Sequence, residues 1–345
     1  MINHFYIRAD GNTQIGTGHI MRCISIANKI RQYNSEVTFI VADKYSEAIV
    51  SDYGYNAICM NTQWNDLDKE IPHIISIIKK YNIKTILIDH YYVTNFYLTQ
   101  LKKRVELYYL DDLNKFIYPV NHLINYNFYA EDLNYMERYR LNNELVDFYL
   151  GTKYVPLRSE FEKMKTRKYK GIKKILLSSG GTDNYNIIGR ILKTFLEDPK
   201  LKQYEYYCII GRFNNNYEKL CELYENYDNI HLLRNVKKMS EYMMLCDICI
   251  TAGGTTAYEL CACGIPSINY TIADNQLKFA KKMMELRIMP WVGDVRGNVE
   301  NCLEQMKKNL VRYADPYIWE NTSKMMQSYV DGNGADRIAR LLIKE

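Results

Sequence analysis

Short, almost continuous apolar runs alternate along this chain with amphipathic stretches, and that alternation limits its folds more than any other feature. The run HFYIRAD (4–10) leads into HIMRCISIANKIRQY, where Ile20, Ile24, Ala27 and Ile30 share one helical face. EVTFIVAD (36–43), a helix, AICMN (57–61), a helix across 67–81, KTILIDHYY (84–92), a helix across 94–104 and ELYYLDD (106–112) follow. Strands apolar on both faces and separated by helices predict a parallel sheet covered on both sides. Over 155–172 the pattern gives way to the polar, basic VPLRSEFEKMKTRKYKG, which reads as a domain junction. It then restarts with KKILLSSGG (173–181), YEYYCIIG (204–211), IHLLRNV (230–236), DICITAGG (247–254) and IPSINYTI (265–272). A single long helix is expected over about 318–343.

The expected class is therefore α/β, with two Rossmann-like doubly wound domains, 1–160 and 161–320, facing across a cleft, followed by a C-terminal helix over 321–345. In such sheets ligands bind beyond the carboxyl ends of the strands. A length of 345 residues suits two cores. The net charge of +5 permits an anionic substrate but falls short of the dense basic face of a nucleic-acid binder. The start, MINHFYIRADG, has no signal-peptide regions, and no run approaches the roughly 20 apolar residues of a membrane span. A cytoplasmic location without membrane insertion is expected.

Nine cysteines raise the question of metal. Cys246-x-x-Cys249 and Cys261-x-Cys263 are spaced like zinc-ligand pairs. Read as a strand, CDICITA points Cys246 and Cys249 to opposite faces. Cys261 and Cys263 fall in a helix that ends at Gly264. Small, buried, reduced thiols are the expectation, with no metal and no cofactor.

Glycine-rich steps between strand and helix are where phosphates are usually held. In GTGHIMR (16–22), Gly11-x-x-x-x-Gly16 has Walker spacing, but Thr17-Gly18 replaces the lysine pair. Gly16-x-Gly18 opens a dinucleotide fingerprint that no third glycine completes. What remains is an imidazole, His19, in the first turn of a helix. The positive helix end disfavours its charged form and suits it to act as a general base. Asp10, at the preceding strand end, is placed to bond one ring nitrogen, and Arg22, one turn on, to hold a carboxylate or phosphate. Gly16 and Gly18 then clear space beside the helix start. Asp89, His90 and Tyr91 end a parallel strand and are expected on the same side. Tyr91 reads either as a hydroxyl for sugar or water or as one more structural tyrosine.

In the second half, SSGGTD (178–183) and TAGGTTAYEL (251–260) each close a strand and open a helix. Gly253 and Gly254 admit a phosphate to the backbone, and Thr255 and Thr256 offer N–H and hydroxyl donors at a helix start. Gly181 and Thr182 repeat the pattern, and Glu259 stands one turn on, where it can accept from ribose hydroxyls. The plainer alternative for each turn is a tight connection capped by a threonine. LDD (110–112) lacks the Asp-x-Asp arrangement that commonly holds a divalent metal.

RADGNTQIGTGHIMRC, IDHY, LDD, GGTD and AGGTTAYELCACGIPSINYTIADNQ, in this order, resemble the family of UDP-2,4-diacetamido-2,4,6-trideoxy-β-L-altropyranose hydrolases of pseudaminic acid biosynthesis. The resemblance runs from residue 1 to about 285, and its N-terminal motif is the most specific part. The second glycine turn and Glu259 are shared more widely, with GT-B glycosyltransferases such as the one that makes lipid II. The resemblance implies a GT-B-like fold whose final helix crosses back to the N-terminal domain. It implies metal-free attack of water on the sugar's anomeric carbon, releasing UDP. His19 would be the base, with Asp10 and Tyr91 beside it, and Gly16, Gly18, Arg22 and His90 near the sugar. Gly181, Thr182, Gly253, Gly254, Thr255 and Thr256 would meet the diphosphate, Glu259 the ribose, and Asn275 and Gln276 the nucleotide or sugar. The implied partner is a UDP-sugar, with neighbouring pathway enzymes as further contacts. The alternative is a GT-B glycosyltransferase of surface-polysaccharide synthesis, and a third reading is a binding protein that leaves the UDP-sugar intact.

Overall fold

A computed structural model describes residues 3–12, 14–211 and 214–343. The chain forms two units, Met1–Ser159 with Asn333–Glu345, and Glu160–Gly332.

The first unit runs β1 (His4–Ala9), α1 (Gly18–Gln32), β2 (Glu36–Val41), α2 (Lys44–Asp52), β3 (Asn56–Cys59), α3 (Leu67–Lys80), β4 (Thr85–Asp89), α4 (Asn95–Lys102), β5 (Glu106–Leu110), β6 (His122–Asn125), α5 (Tyr135–Leu141) and β7 (Asp147–Leu150). Its seven strands are all parallel, in the order β3-β2-β1-β4-β5-β6-β7. The apolar strands are buried on both faces, with Ile86, Ile88 and Leu107 packed against Ile74, Leu98 and Leu101. β6 and β7 extend the sheet beyond the strands expected from the alternation. Each has only four residues, and α5 with its flanking tyrosine- and asparagine-rich loops separates them.

The second unit runs β8 (Lys174–Ser178), α6 (Ile187–Leu196), β9 (Glu205–Ile210), α7 (Tyr217–Tyr224), β10 (Ile230–Arg234), α8 (Met239–Leu245), β11 (Ile248–Ala252), α9 (Thr256–Cys263), β12 (Ser267–Thr271), α10 (Leu277–Glu285), β13 (Trp291–Asp294), α11 (Val299–Tyr313) and α12 (Pro316–Tyr329). Its six parallel strands lie in the order β10-β9-β8-β11-β12-β13. Both sheets are doubly wound and Rossmann-like. The strand order reverses beside β1 in one and beside β8 in the other, and such switch points are where open α/β sheets bind ligands.

The expected long final helix is two helices. The backbone leaves α12 at Val330 in an extended conformation, and Gly332, at φ +76°, turns it. The last helix, α13 (Gly334–Ile343), then packs on α1 within the first unit. Tyr33 Oη donates to Asp336 Oδ1 (2.6 Å), and Tyr108 Oη donates to the Leu341 carbonyl (3.2 Å). Among the described residues, the N-cap residues Asp43, Asp66, Thr94, Asn298 and Asp315 accept through their own side chains from backbone N–H groups of α2, α3, α4, α11 and α12. The starts of α1 and α9, which follow glycine motifs, have no such cap. No helix among the described residues is long and apolar enough to cross a membrane.

Candidate active site

β1 and β4 are neighbours, and their registered ends place Ala9 opposite Asp89. After β1 the chain makes a tight turn, with Gly16 at φ +72° and Asn12 N–H donating to the Gly16 carbonyl (3.1 Å). The first turn of α1 thereby brings His19 over the end of β4. His19 is buried, and its Nδ1 lies 2.6 Å from Asp89 Oδ1. Only a protonated Nδ1 is compatible with a carboxylate oxygen at that distance, so Nδ1–H donates to Asp89. The basic lone pair is then on Nε2, which has no hydrogen-bond partner among the described residues. The sequence suggested Asp10 as the partner of this ring. Asp10 is instead engaged by Arg8 (2.6 Å) and by the Ala42 N–H (2.7 Å), because β1 carries it toward β2 rather than toward α1.

Arg22 ties the carboxylates together. Its Nε donates to Asp89 Oδ2 (2.5 Å), its Nη1 to Asp112 Oδ2 (2.7 Å), and it also bonds the Tyr126 hydroxyl. Of the carboxylate or phosphate that its position suggested, the guanidinium holds carboxylates, two of the protein's own, and so orders the site. Burial alone raises the pKa of Asp89, but Arg22 and His19 together hold its carboxyl well below the usual carboxylate range. The His19 ring is therefore backed by an ionised carboxylate. Tyr91 presents its ring edge-on to His19, with centroids 4.2 Å apart, and its hydroxyl donates to Asp112 Oδ2 (3.3 Å). Gly16 and Gly18 are exposed beside this group.

His90 turns inward. It is buried, its Nδ1 accepts from the Tyr92 N–H (3.1 Å), and its Nε2 sits 3.3 Å from Asp10 Oδ2. Behind it, Arg8 donates through Nε and Nη2 to Glu70 (2.8 and 2.7 Å), and Tyr97 Oη donates to the same carboxylate (2.7 Å). Burial lowers the His90 pKa, with Arg8 and His19 adding to that and Asp10 opposing it. Asp10 is held at about 2, the effect of Arg8 and His90 outweighing burial. Asp89 and Asp112 were visible as acidic strand ends, but their partners were not. The signal was the strand order: three acidic ends on the adjacent strands β1, β4 and β5.

In the second unit the two glycine turns differ. At the end of β8, Gly181 and Thr182 are exposed, yet the helix start beyond them is closed by Asp183. Its carboxylate accepts from the Ile187 N–H (2.8 Å) and the Ile188 N–H (3.2 Å). A buried acidic group that already takes the α6 amides disfavours an anion there. At the end of β11, Gly254 and Thr255 are exposed, Thr256 is half-buried, and Thr255 makes no side-chain cap bond. Glu259 follows in the first turn of α9. Asn275 is exposed in the single 3₁₀ turn Asp274–Gln276, and Gln276 Oε1 accepts from the Ile272 N–H (2.8 Å). Among the described residues no group of three or more His, Cys, Asp or Glu is placed to hold a metal ion.

Residues 112–331 match the model of a family described as "Protein of unknown function (DUF354)". The chain is 25% identical over 301 residues to the "Uncharacterized protein MJ1062" of Methanocaldococcus jannaschii, a match that takes in 82% of this chain and 60% of that one. The chain thus spans under two thirds of that relative. It is 22% identical to the spore coat polysaccharide biosynthesis protein SpsG of Bacillus subtilis, over 98% of this chain and 97% of that one. To the UDP-2,4-diacetamido-2,4,6-trideoxy-beta-L-altropyranose hydrolase of Campylobacter jejuni it is 26% identical, over 68% and 80%. Among solved structures, Acinetobacter baumannii MurG matches with a TM-score of 0.74 at 11% identity, over 99% of this chain and 100% of that one. Neisseria meningitidis UDP-GlcNAc 2-epimerase bound to UDP-GlcNAc matches with 0.68 at 14%, over 100% of each. At such identities these two show a shared GT-B-like fold.

Proposed function

The chain belongs to DUF354, a family of proteins of unknown function, and for this member we propose hydrolysis of a UDP-linked 2,4-diacetamido-2,4,6-trideoxy sugar at its anomeric carbon. The observation that carries the reading is the His19–Asp89 pair, 2.6 Å apart, at the switch point of the first sheet, with Nε2 left for a substrate proton. In the proposed step Nε2 takes a proton from water as its oxygen attacks C1. The C1–O bond to the diphosphate breaks, and its electron pair leaves with UDP. The imidazolium that forms is stabilised by Asp89, which Arg22 keeps ionised. UDP is a good leaving group at neutral pH, so the step needs no acid. Tyr91 walls one side of the ring, and Gly16 and Gly18 leave room for sugar and water.

The open start of α9 is the better of the two anion cradles. Gly253, Gly254, Thr255 and Thr256 are assigned to the diphosphate and Glu259 to the ribose, with Asn275 and Gln276 toward the nucleotide or sugar. Similarity to the C. jejuni hydrolase supports the substrate, and the fold shared with a UDP-GlcNAc-bound epimerase supports a UDP-sugar. The MurG likeness supports a second reading, transfer of the sugar to an acceptor hydroxyl by the same base.

The test is incubation with UDP-2,4-diacetamido-2,4,6-trideoxy-β-L-altropyranose and EDTA, without acceptor, following UDP and free sugar. Stoichiometric release of both is expected, and His19→Ala is expected to lower kcat by about 10²–10⁴ while UDP affinity is kept. An undiminished rate in His19→Ala overturns the base assignment. Release that requires an added acceptor selects the transferase.

A further inference from the structure

Asn269, in the middle of β12, is fully buried, and neither its Oδ1 nor its Nδ2 has a hydrogen-bond partner among the described residues. Buried carboxamides are nearly always paired, because burying one unpaired forfeits its bonds to water without return. The residue belongs to a polar row that crosses three strands near their carboxyl ends. Ser178 of β8 is registered with Thr251 of β11, and Thr251 with Asn269. Thr251 settles its hydroxyl on the Ala252 carbonyl (3.2 Å), whereas Asn269 settles neither end of its amide.

The carboxamide lies directly under the glycine turn at the start of α9. A Cβ on Gly253 would stand 3.2 Å from Asn269 Oδ1 and 3.7 Å from its Nδ2, with Gln276 Cβ at 3.3 Å. The absence of a side chain at Gly253 is thus what lets Asn269 reach the turn. Above that glycine, α9 begins without a side-chain cap: Ala257 and Tyr258 N–H donate to the Gly254 and Thr255 carbonyls (3.0 and 3.1 Å), which leaves the amides before them and the positive helix end to face an anion. Two independent features, an open helix start and an unpaired buried donor, converge on one small volume.

We infer that Asn269 is a ligand of the diphosphate, its Nδ2–H donating to a phosphate oxygen seated on the α9 turn. The inference rests on the reading of that turn as the nucleotide site and adds a residue to it from within the sheet. It also explains why an asparagine stands in the row where β11 and β8 carry the small hydroxyl side chains Thr251 and Ser178: the longer carboxamide reaches the gap left by Gly253. A bound phosphate gives the Nδ2–H the acceptor that the described residues do not supply.

The experiment compares UDP and uridine binding, by calorimetry, to the full-length wild type and to Asn269→Leu, alongside thermal melts. Leucine keeps the branched skeleton, at a larger volume, and removes the unpaired groups, so Tm is expected to hold. UDP affinity is expected to fall about tenfold, which converts to about 1.4 kcal/mol, with uridine affinity unchanged. Should Asn269→Leu fail to fold, Asn269→Asp keeps the shape and sets an acidic group under the diphosphate. It is expected to weaken UDP by more than tenfold and to spare uridine. Equal loss of UDP and uridine, or undiminished UDP binding in either variant, overturns the inference. A wild type that binds no UDP overturns the nucleotide-site reading itself.

Discussion

With Nδ1 held by Asp89, His19 keeps one nitrogen for chemistry, and the carboxylate behind it fixes both the tautomer and the ring's orientation. On the proposed mechanism, Asp89→Asn removes that charge and can no longer favour Nδ1–H. It is expected to lower kcat by about 10²–10⁴ with little change in KM, measured by steady-state UDP release. An unchanged kcat would mean that the dyad is not catalytic. A separate pH dependence belongs to His90. Its folded pKa is depressed, so below about pH 6.5 the unfolded chain takes a proton that the native ring resists. Stability is therefore lost as pH falls from about 6.5 toward the folded pKa, by up to about 1.4 kcal/mol per unit. Asp10, held at about 2, loses its contribution only below about pH 4, in a different window. Denaturant melts between pH 7 and 5 should show the slope in the wild type and a shallower one in His90→Asn. Asparagine retains an oxygen to accept the Tyr92 N–H. The candidate base was legible in the sequence because a helix-start histidine behind a glycine turn is a local pattern. Its partner was not, because the choice between Asp10 and Asp89 depends on which strands are neighbours.

The strands and helices that hold these residues were legible wherever an apolar run lasted five residues or more, as in β1, β2, β4, β8 and β11. Of the four-residue strands, β3 was legible because AICMN stands between two helical stretches, whereas β6, β7 and β13 lack such a frame, and pairing with an existing edge is what makes them strands. The split between α12 and α13 follows from Gly332 and from the surface that α13 finds on the first unit. That docking can be tested at Gly334, the first residue of α13. A Cβ there would lie 2.2 Å from the Val155 carbonyl oxygen and 2.5 Å from its nitrogen, both backbone atoms that cannot swing aside. Alanine is otherwise preferred to glycine in a helix by about 1 kcal/mol. A lower Tm for Gly334→Ala, with a cost of about 1–3 kcal/mol from the forced shift, would show that close packing outweighs propensity. A higher Tm would show that α13 docks loosely.

Across the whole molecule the nine cysteines report how the cores exclude solvent. All nine are free, seven are buried, and only Cys59 and Cys221 are half-buried. Cys246, Cys249, Cys261 and Cys263, which the sequence spaces like metal ligands, are packed inside the second unit. Cys246 closes α8, Cys249 lies in β11, and the other two lie in α9. Burial raises all four thiol pKa values, to about 12 for Cys246 and Cys263, so they are protonated and poorly nucleophilic at neutral pH. Cys23, against Asp89, is likewise buried and pushed well up. Titration of the native protein with a thiol-reactive disulfide at pH 8 is therefore expected to modify Cys59 and Cys221 quickly. The other seven should react only at the rate of unfolding, and all nine at once in denaturant. Mass spectrometry of the partly labelled chain identifies the sites. Rapid native labelling of Cys246 or Cys263 would show that the second sheet opens locally without global unfolding. Slow labelling of both means that these thiols serve as close-packed apolar groups.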